Sequence, residues 1–244
     1  MRSAPDHLVL FDVDATLIST GGVGFHAMVD AGRDLFGPGF TGEGVSFAGR
    51  LDPLILRELL AGHGIEADIH STRALRERYT LRLAGRLDQP GNRRTLPGVA
   101  ALLDALDGLV TLGLLTGNFE ETGSMKLRAC GLEPARFAVR VWGDESPHEP
   151  PAREHLPPVA VSRHASMHAR QPSRVTIIGD TPLDIACARA NGMRSLGVAT
   201  GQFDLAALHD AGATLALDDL TSTDALVRWL VEDSPYTPGE GRRR

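Results

Sequence analysis

Two aspartates, Asp12 and Asp14, stand one residue apart just beyond an apolar run, Leu8-Val9-Leu10-Phe11. Four apolar residues in a row suit a strand buried on both faces, and carboxylates placed after it have no packing role. Charge at the carboxyl end of a buried parallel strand is where open α/β sheets bind ligands. The chain repeats this arrangement twice. Thr116-Gly117-Asn118 follows a strand-like run at 109–115, and Asp180 and Asp184 follow another at 174–179. In a parallel sheet these ends lie side by side, so the three places converge.

The residue types suggest the chemistry. Clustered carboxylates suit a hard cation, Mg²⁺ being the usual one, which keeps waters and binds substrate phosphate as well. A hydroxyl, a glycine and an amide at a helix start (Thr116, Gly117, Asn118) suit a phosphate oxygen. A carboxylate beside a metal can attack phosphorus to form an acyl phosphate. A second carboxylate could hand a proton to the leaving alcohol and later take one from water.

The elements that must position these groups alternate. Beyond residue 95, strand signals at 109–115, 174–179, 194–198 and 213–217 are separated by helical text at 97–107 and 119–130. A further helix is capped by Thr181, with Pro182 at its first position, where the missing N–H costs nothing. This alternation predicts an α/β fold, a Rossmann-like, doubly wound parallel sheet covered on both sides. Residues 20–95 read differently, with helical spacing near 51–59 and arginine-rich helical text at 71–88. They are expected to form an inserted helical domain between the two parts of the core, residues 1–19 and 96–232. Residues 143–158 hold five prolines without periodicity and read as an extended loop, and the tail from 233 reads as a flexible end.

The 244 residues carry a net charge of −6 without a basic stripe, which argues against nucleic acid as a partner. No apolar run approaches the length of a membrane span, and the first strand begins so early that a signal peptide has no room. A cytoplasmic protein with Cys130 and Cys187 reduced is the economical reading. Neither a monomer nor a homodimer is selected. Of the 25 basic residues, Lys126 is the single lysine.

With these residues assembled, the chain resembles the haloacid dehalogenase (HAD) superfamily, and within it the phosphoglycolate phosphatase-like group with a small helical cap of type C1. The family pattern Asp-x-Asp-x-Thr, a Thr or Ser, a lysine, and Gly-Asp-x-x-x-Asp is met at Asp12, Asp14, Thr16, Thr116, Asp180 and Asp184. The resemblance implies that Asp12 is the nucleophile and a Mg²⁺ ligand. Asp14 would be the general acid/base, with its carbonyl on the metal, and Thr116 would hold the transferring phosphoryl group. Asp180 would bind Mg²⁺, and Asp184 would bind it directly or through water; Asp184 could instead be a helix-start residue favoured by the dipole.

Two departures stand out. The family has glycine where this chain has Ala15, which fits if the backbone φ is negative there. The family lysine often lies in the loop before the last motif, where this chain has Arg153. Lys126, two turns up the helix behind Thr116, can reach back toward the phosphate because helical side chains slant to the N-terminus, and Gly123 is expected to leave it room. Lys126 is the first candidate and Arg153 the second, and both could contribute. In the insert, Arg50 could clamp an anionic substrate group, a solvated helix-start arginine being the alternative. Gly21, Gly22 and Gly24 are plausible hinges.

The expected function is Mg²⁺-dependent hydrolysis of a small organic phosphomonoester through an aspartyl-phosphate, with phosphoglycolate as the reference substrate by resemblance. A phosphomutase or phosphotransferase of the same fold is the near alternative. A binding protein that kept the fold and lost turnover is another, motivated by Ala15 and the displaced lysine.

Overall fold

The structure, a computed structural model, describes residues 6–232 and 234–237. Most of the tail read as flexible, 233 and 238–244, lies outside the described residues. Strand β1 (His7–Phe11) leads into a two-stranded antiparallel ribbon, β2 (Ile18–Ser19) with β3 (Arg94–Thr95). Between the ribbon strands lie three helices, α1 (Val23–Phe36), α2 (Asp52–Gly62) and α3 (Ile69–Leu87). The chain then alternates through α4 (Val99–Leu106), β4 (Thr111–Leu115), α5 (Glu120–Ala129), β5 (Val139–Val141) and α6 (Leu156–His168). It continues with β6 (Arg174–Gly179), α7 (Pro182–Ala190), β7 (Arg194–Val198), α8 (Leu205–Asp210), β8 (Leu215–Leu217) and α9 (Thr223–Val227).

Six strands form one parallel sheet in the order β5-β4-β1-β6-β7-β8. The chain moves outward from β1 on one side, then returns to the other side of β1. This reversal makes β1 the topological switch point, where open α/β sheets hold their ligands. Alternation along β1 serves both faces. Val9 and Phe11 pack with Val99, Leu102 and Leu226 on one side, and Leu8 and Leu10 with Leu156, Ala160 and Ala188 on the other. A third core lies within the helical segment, where Met28, Ile55, Leu59, Leu75 and Tyr79 meet Phe119 at the start of α5.

The stretch 143–158 is not a loop throughout. A short 3₁₀ turn spans Arg153–His155, and α6 starts at Leu156. Pro157 and Pro158 fall in the first turn of α6, where a missing N–H leaves no bond unmade. The strand expected from residue 109 begins at Thr111, because Gly108 turns the chain at φ 69° and leaves Leu109 exposed. Cys130 and Cys187 are free and buried. Among the described residues no helix is long and apolar enough to cross a membrane.

Candidate functional site

The carboxyl ends of β1, β4 and β6 meet beneath the helical segment around a cavity of about 350 Å³. Asp12, Asp14, Thr116, Gly117, Asn118, Lys126, Arg153, Asp180 and Arg50 all line it. Thr116 is wholly buried, and Asp12, Asn118 and Asp180 nearly so. Asp184 is buried behind this rim.

The chain reaches Asp14 through a sharp turn. The amide of Ala15 donates to the carbonyl of Ile18 at 2.8 Å, and the Thr200 hydroxyl donates to the carbonyl of Ala15. Ala15 has φ 56°, in the left-handed region, which overturns the expectation of a negative φ. Alanine keeps the conformation that glycine supplies without strain, since bonds on both sides of residue 15 impose it.

One acidic group comprises Asp12, Asp180 and Asp184, each offering a carboxylate oxygen within 4.8 Å of the others. Burial raises the Asp12 carboxyl to about 6, against the charge of Arg153, with Asp184 and Asp14 pushing the same way as burial. Burial also raises Asp180, to about 8, helped by Asp12 and Asp184. Crowded, buried, all-oxygen donors of this kind favour a hard divalent cation, so the residues fit Mg²⁺. The Thr16 hydroxyl donates to Asp180 at 3.3 Å. Asp184 also closes a capping box at the start of α7, its Oδ2 accepting from the amide and hydroxyl of Thr181 at 3.1 and 2.7 Å. Asp184 thus takes the helix-start role through Oδ2, while Oδ1 accepts from Arg153.

Both candidate cations reach the site, on different aspartates. Lys126 Nζ lies 2.7 Å from Asp14 Oδ2 and 2.6 Å from Asn118 Oδ1. Burial works against its charge, but Asp14, Tyr79 and Asp52 more than offset it and hold the ammonium above the usual lysine range. Arg153 Nη2 donates to Asp12 Oδ1 at 2.9 Å and to Asp184 Oδ1 at 2.5 Å, while Nη1 donates to the carbonyl of Gly49 at 2.8 Å. Asn118 ties the Lys126 group to the phosphate side, since Nδ2 donates to Asp14 Oδ2 and to Thr116 Oγ1, each at 2.9 Å.

Room for Lys126 comes from Gly24, not Gly123. A Cβ on Gly24 would stand 3.0 Å from Nζ, whereas one on Gly123 would press on Trp142 and Asn118. Gly24 is buried inside α1, which also removes it from the hinge set. Gly21 and Gly22, at φ 66° and 79°, make the turn into that helix. Arg50 pairs with Glu58 and donates to the carbonyl of Ser46 at 3.3 Å, so its guanidinium is engaged.

The sequence reading missed Asp52 and Tyr79. Asp52 is 6% exposed at the start of α2, and burial lifts its carboxyl to about 7 against the charge of Lys126. Tyr79 comes from α3, and its buried hydroxyl borders the same cavity. Buried acids at a helix start carry a signal in principle, but an acid there is equally expected in solvent, facing its own helix dipole.

Comparison with known proteins agrees with this fold. Among the solved structures that resemble the fold is a hydrolase from Pseudomonas syringae, with a TM-score of 0.66 and 22% identity over 88% of this chain and 94% of that one. CbbY from Rhodobacter sphaeroides, solved in complex with phosphate, gives 0.69 and 19% identity over 89% and 95%. A phosphoglycolate phosphatase predicted in Haemophilus somnus 129PT gives 0.66 and 16% identity over 93% and 100%. No curated protein matches the sequence. The family model of HAD-hydrolase-like proteins matches residues 156–223. A second model, of haloacid dehalogenase-like hydrolases, matches residues 9–189, which takes in every motif residue from Asp12 to Asp184. That match spans about three quarters of the 244 residues, and the chain therefore belongs to the haloacid dehalogenase-like hydrolase family.

Proposed function

We propose that the protein is a Mg²⁺-dependent phosphatase that hydrolyses a small organic phosphomonoester through an aspartyl-phosphate on Asp12. The observation that carries this reading is the grouping, on one small cavity, of two unequal aspartates, an amide–hydroxyl turn and two separate cations. The fold neighbours support phosphoryl chemistry, since one of them is described in complex with phosphate. A cavity of about 350 Å³ sits at the lower end of the range for small-molecule sites.

Asp12 attacks phosphorus, the P–O bond to the leaving alcohol breaks, and Asp14 gives that oxygen its proton. Asp14, now a carboxylate, takes a proton from water, whose oxygen attacks phosphorus and releases Asp12. The unequal surroundings suit these roles. Asp12 is 7% exposed and gripped by Arg153, while the side chain of Asp14 is 42% exposed and open to water. Thr116 and the turn at Gly117 and Asn118 receive the phosphoryl oxygens. Lys126 offsets the charge gathering on the phosphoryl group and holds Asp14 in place, and Arg153 aims the Asp12 carboxylate. Asp12, Asp180 and Asp184, with the carbonyl of Asp14, would hold Mg²⁺. The ion supplies charge neutralisation for a dianionic phosphate.

The helical segment, residues 20–95, acts as the cap that covers the site and keeps bulk water out between the two steps. Phosphoglycolate is the reference substrate. Its carboxylate would compete with Glu58 for Arg50, a cation that lines the same cavity.

Release of inorganic phosphate from phosphoglycolate, p-nitrophenyl phosphate and a panel of sugar and polyol phosphates tests the reading, with Mg²⁺ and with EDTA. Activity that needs the metal is expected. No hydrolysis of any member with Mg²⁺ present would overturn it.

A further inference from the structure

Asp52 opens α2, yet its carboxylate bonds elsewhere. Oδ2 accepts from the amide of Phe119 at 3.2 Å and, more weakly, from the Thr122 hydroxyl at 3.5 Å, both at the start of α5. Phe119 has no side-chain acceptor of its own for the helix it begins. Asp52 therefore supplies, from the helical segment, an acceptor for the N–H of Phe119 at the start of α5, a helix with no side-chain cap of its own. Its backbone amide adds a second tie, donating to the carbonyl of Gly117 at 2.7 Å.

These bonds grip the turn that receives phosphate. The Gly117 peptide is enclosed on both sides. A Cβ on Gly117 would stand 2.0 Å from the carbonyl of Arg50, and one on Gly143 would stand 2.0 Å from the carbonyl of Gly117. One residue earlier in the same loop, Gly49 at φ 71° rests against Thr181, and its carbonyl accepts from Arg153. The charged and titratable groups around Asp52 are Lys126 and Asp14 on the core and Tyr79 from α3.

We propose that Asp52 is a positioning residue that couples seating of the helical cap to assembly of the phosphate-binding turn at Thr116, Gly117 and Asn118. This rests on the phosphatase reading of that turn. The turn holds its shape when the start of α2 is seated on it, and by linkage a phosphate held there draws the loop 47–52 down. With its carboxylate buried against the start of α5 in the seated state, Asp52 is the contact that sets seating.

Hydrogen exchange and phosphate titration of the full chain with Mg²⁺ test the coupling, using inorganic phosphate as the probe. In the unmodified protein, phosphate is expected to slow exchange at 47–56 together with 116–122. Asp52→Ala is expected to weaken phosphate binding about tenfold, within the usual span of such couplings, and to abolish protection at 47–56. Asp52→Asn, which keeps an acceptor for the Phe119 amide, is expected to restore part of both. Unchanged phosphate affinity in a folded Asp52→Ala variant would overturn the proposal. If that variant fails to fold, the unmodified protein decides alone: protection confined to 116–122 rejects the coupling. Phosphate-driven protection at 47–56 without hydrolysis of any ester would sink the catalytic reading and leave the coupling standing. Hydrolysis with 47–56 unmoved would do the reverse.

Discussion

Replacing Ala15 by glycine probes the most strained position beside the reacting groups. Ala15 sits at φ 56°, where a β-carbon costs ~1–2 kcal/mol against the following carbonyl. Glycine removes that cost but loses more freedom on folding, which returns ~0.4–1 kcal/mol. The Ala15→Gly variant should therefore be more stable by about 1 kcal/mol. For a chain of this size that raises Tm by roughly 2–4 °C. Differential scanning calorimetry without ligand is the assay. Because the bonds to Ile18 and Thr200 already fix the turn, Asp14 stays where it is and kcat should remain within about twofold. A Tm equal to or below that of the unmodified protein would refute the strain argument. A tenfold rise in kcat would mean that alanine impairs turnover, and would favour a binding protein over an enzyme.

Lys126→Arg should lower kcat more than it raises KM, because the larger guanidinium meets Gly24 and the Tyr79 hydroxyl, and steady-state kinetics on p-nitrophenyl phosphate checks this. Arg153→Lys, which keeps a charge but loses the fork to Asp12, Asp184 and Gly49, should cost kcat on the order of 10²-fold, with a smaller loss in thermal stability. Asp52 has a carboxyl raised to about 7, so its stabilising contribution is complete below the unfolded value near 4 and is lost as pH rises through 7. In thermal melts the Asp52→Asn variant should gain on the unmodified protein between pH 4 and 8, by at most roughly 4 kcal/mol; a gap that widens the other way refutes the shift.

Five of the six strands of the sheet were legible as short runs rich in apolar residues, whereas β5, only three residues long with Arg140 at its centre, was not read. Pro182 with Thr181 marked the start of α7. The convergence of Asp12, Thr116 and Asp180 followed from parallel topology alone. Lys126 was legible through composition, as the lone ammonium in an arginine-using chain. What stayed hidden depended on contacts between distant segments. Arg153 was named as the second candidate, but its grip on both Asp12 and Asp184 was not, because the proline-rich stretch that carries it reads as a loop. Gly24 serves Lys126 from a different helix, so spacing along α5 pointed to Gly123 instead. The sign of φ at Ala15 is imposed by Ile18 and Thr200, and Asp52 reads as an ordinary acid at its own helix start until α5 is seen beside it.

The central claim is that Asp12 carries the phosphoryl group, and the direct measurement is steady-state phosphate release by the unmodified protein and by Asp12→Asn with saturating Mg²⁺. Asparagine keeps the shape and can still accept from Arg153, so the fold should hold while kcat falls by at least ~10³-fold. A folded Asp12→Asn protein that keeps its turnover would contradict the claim.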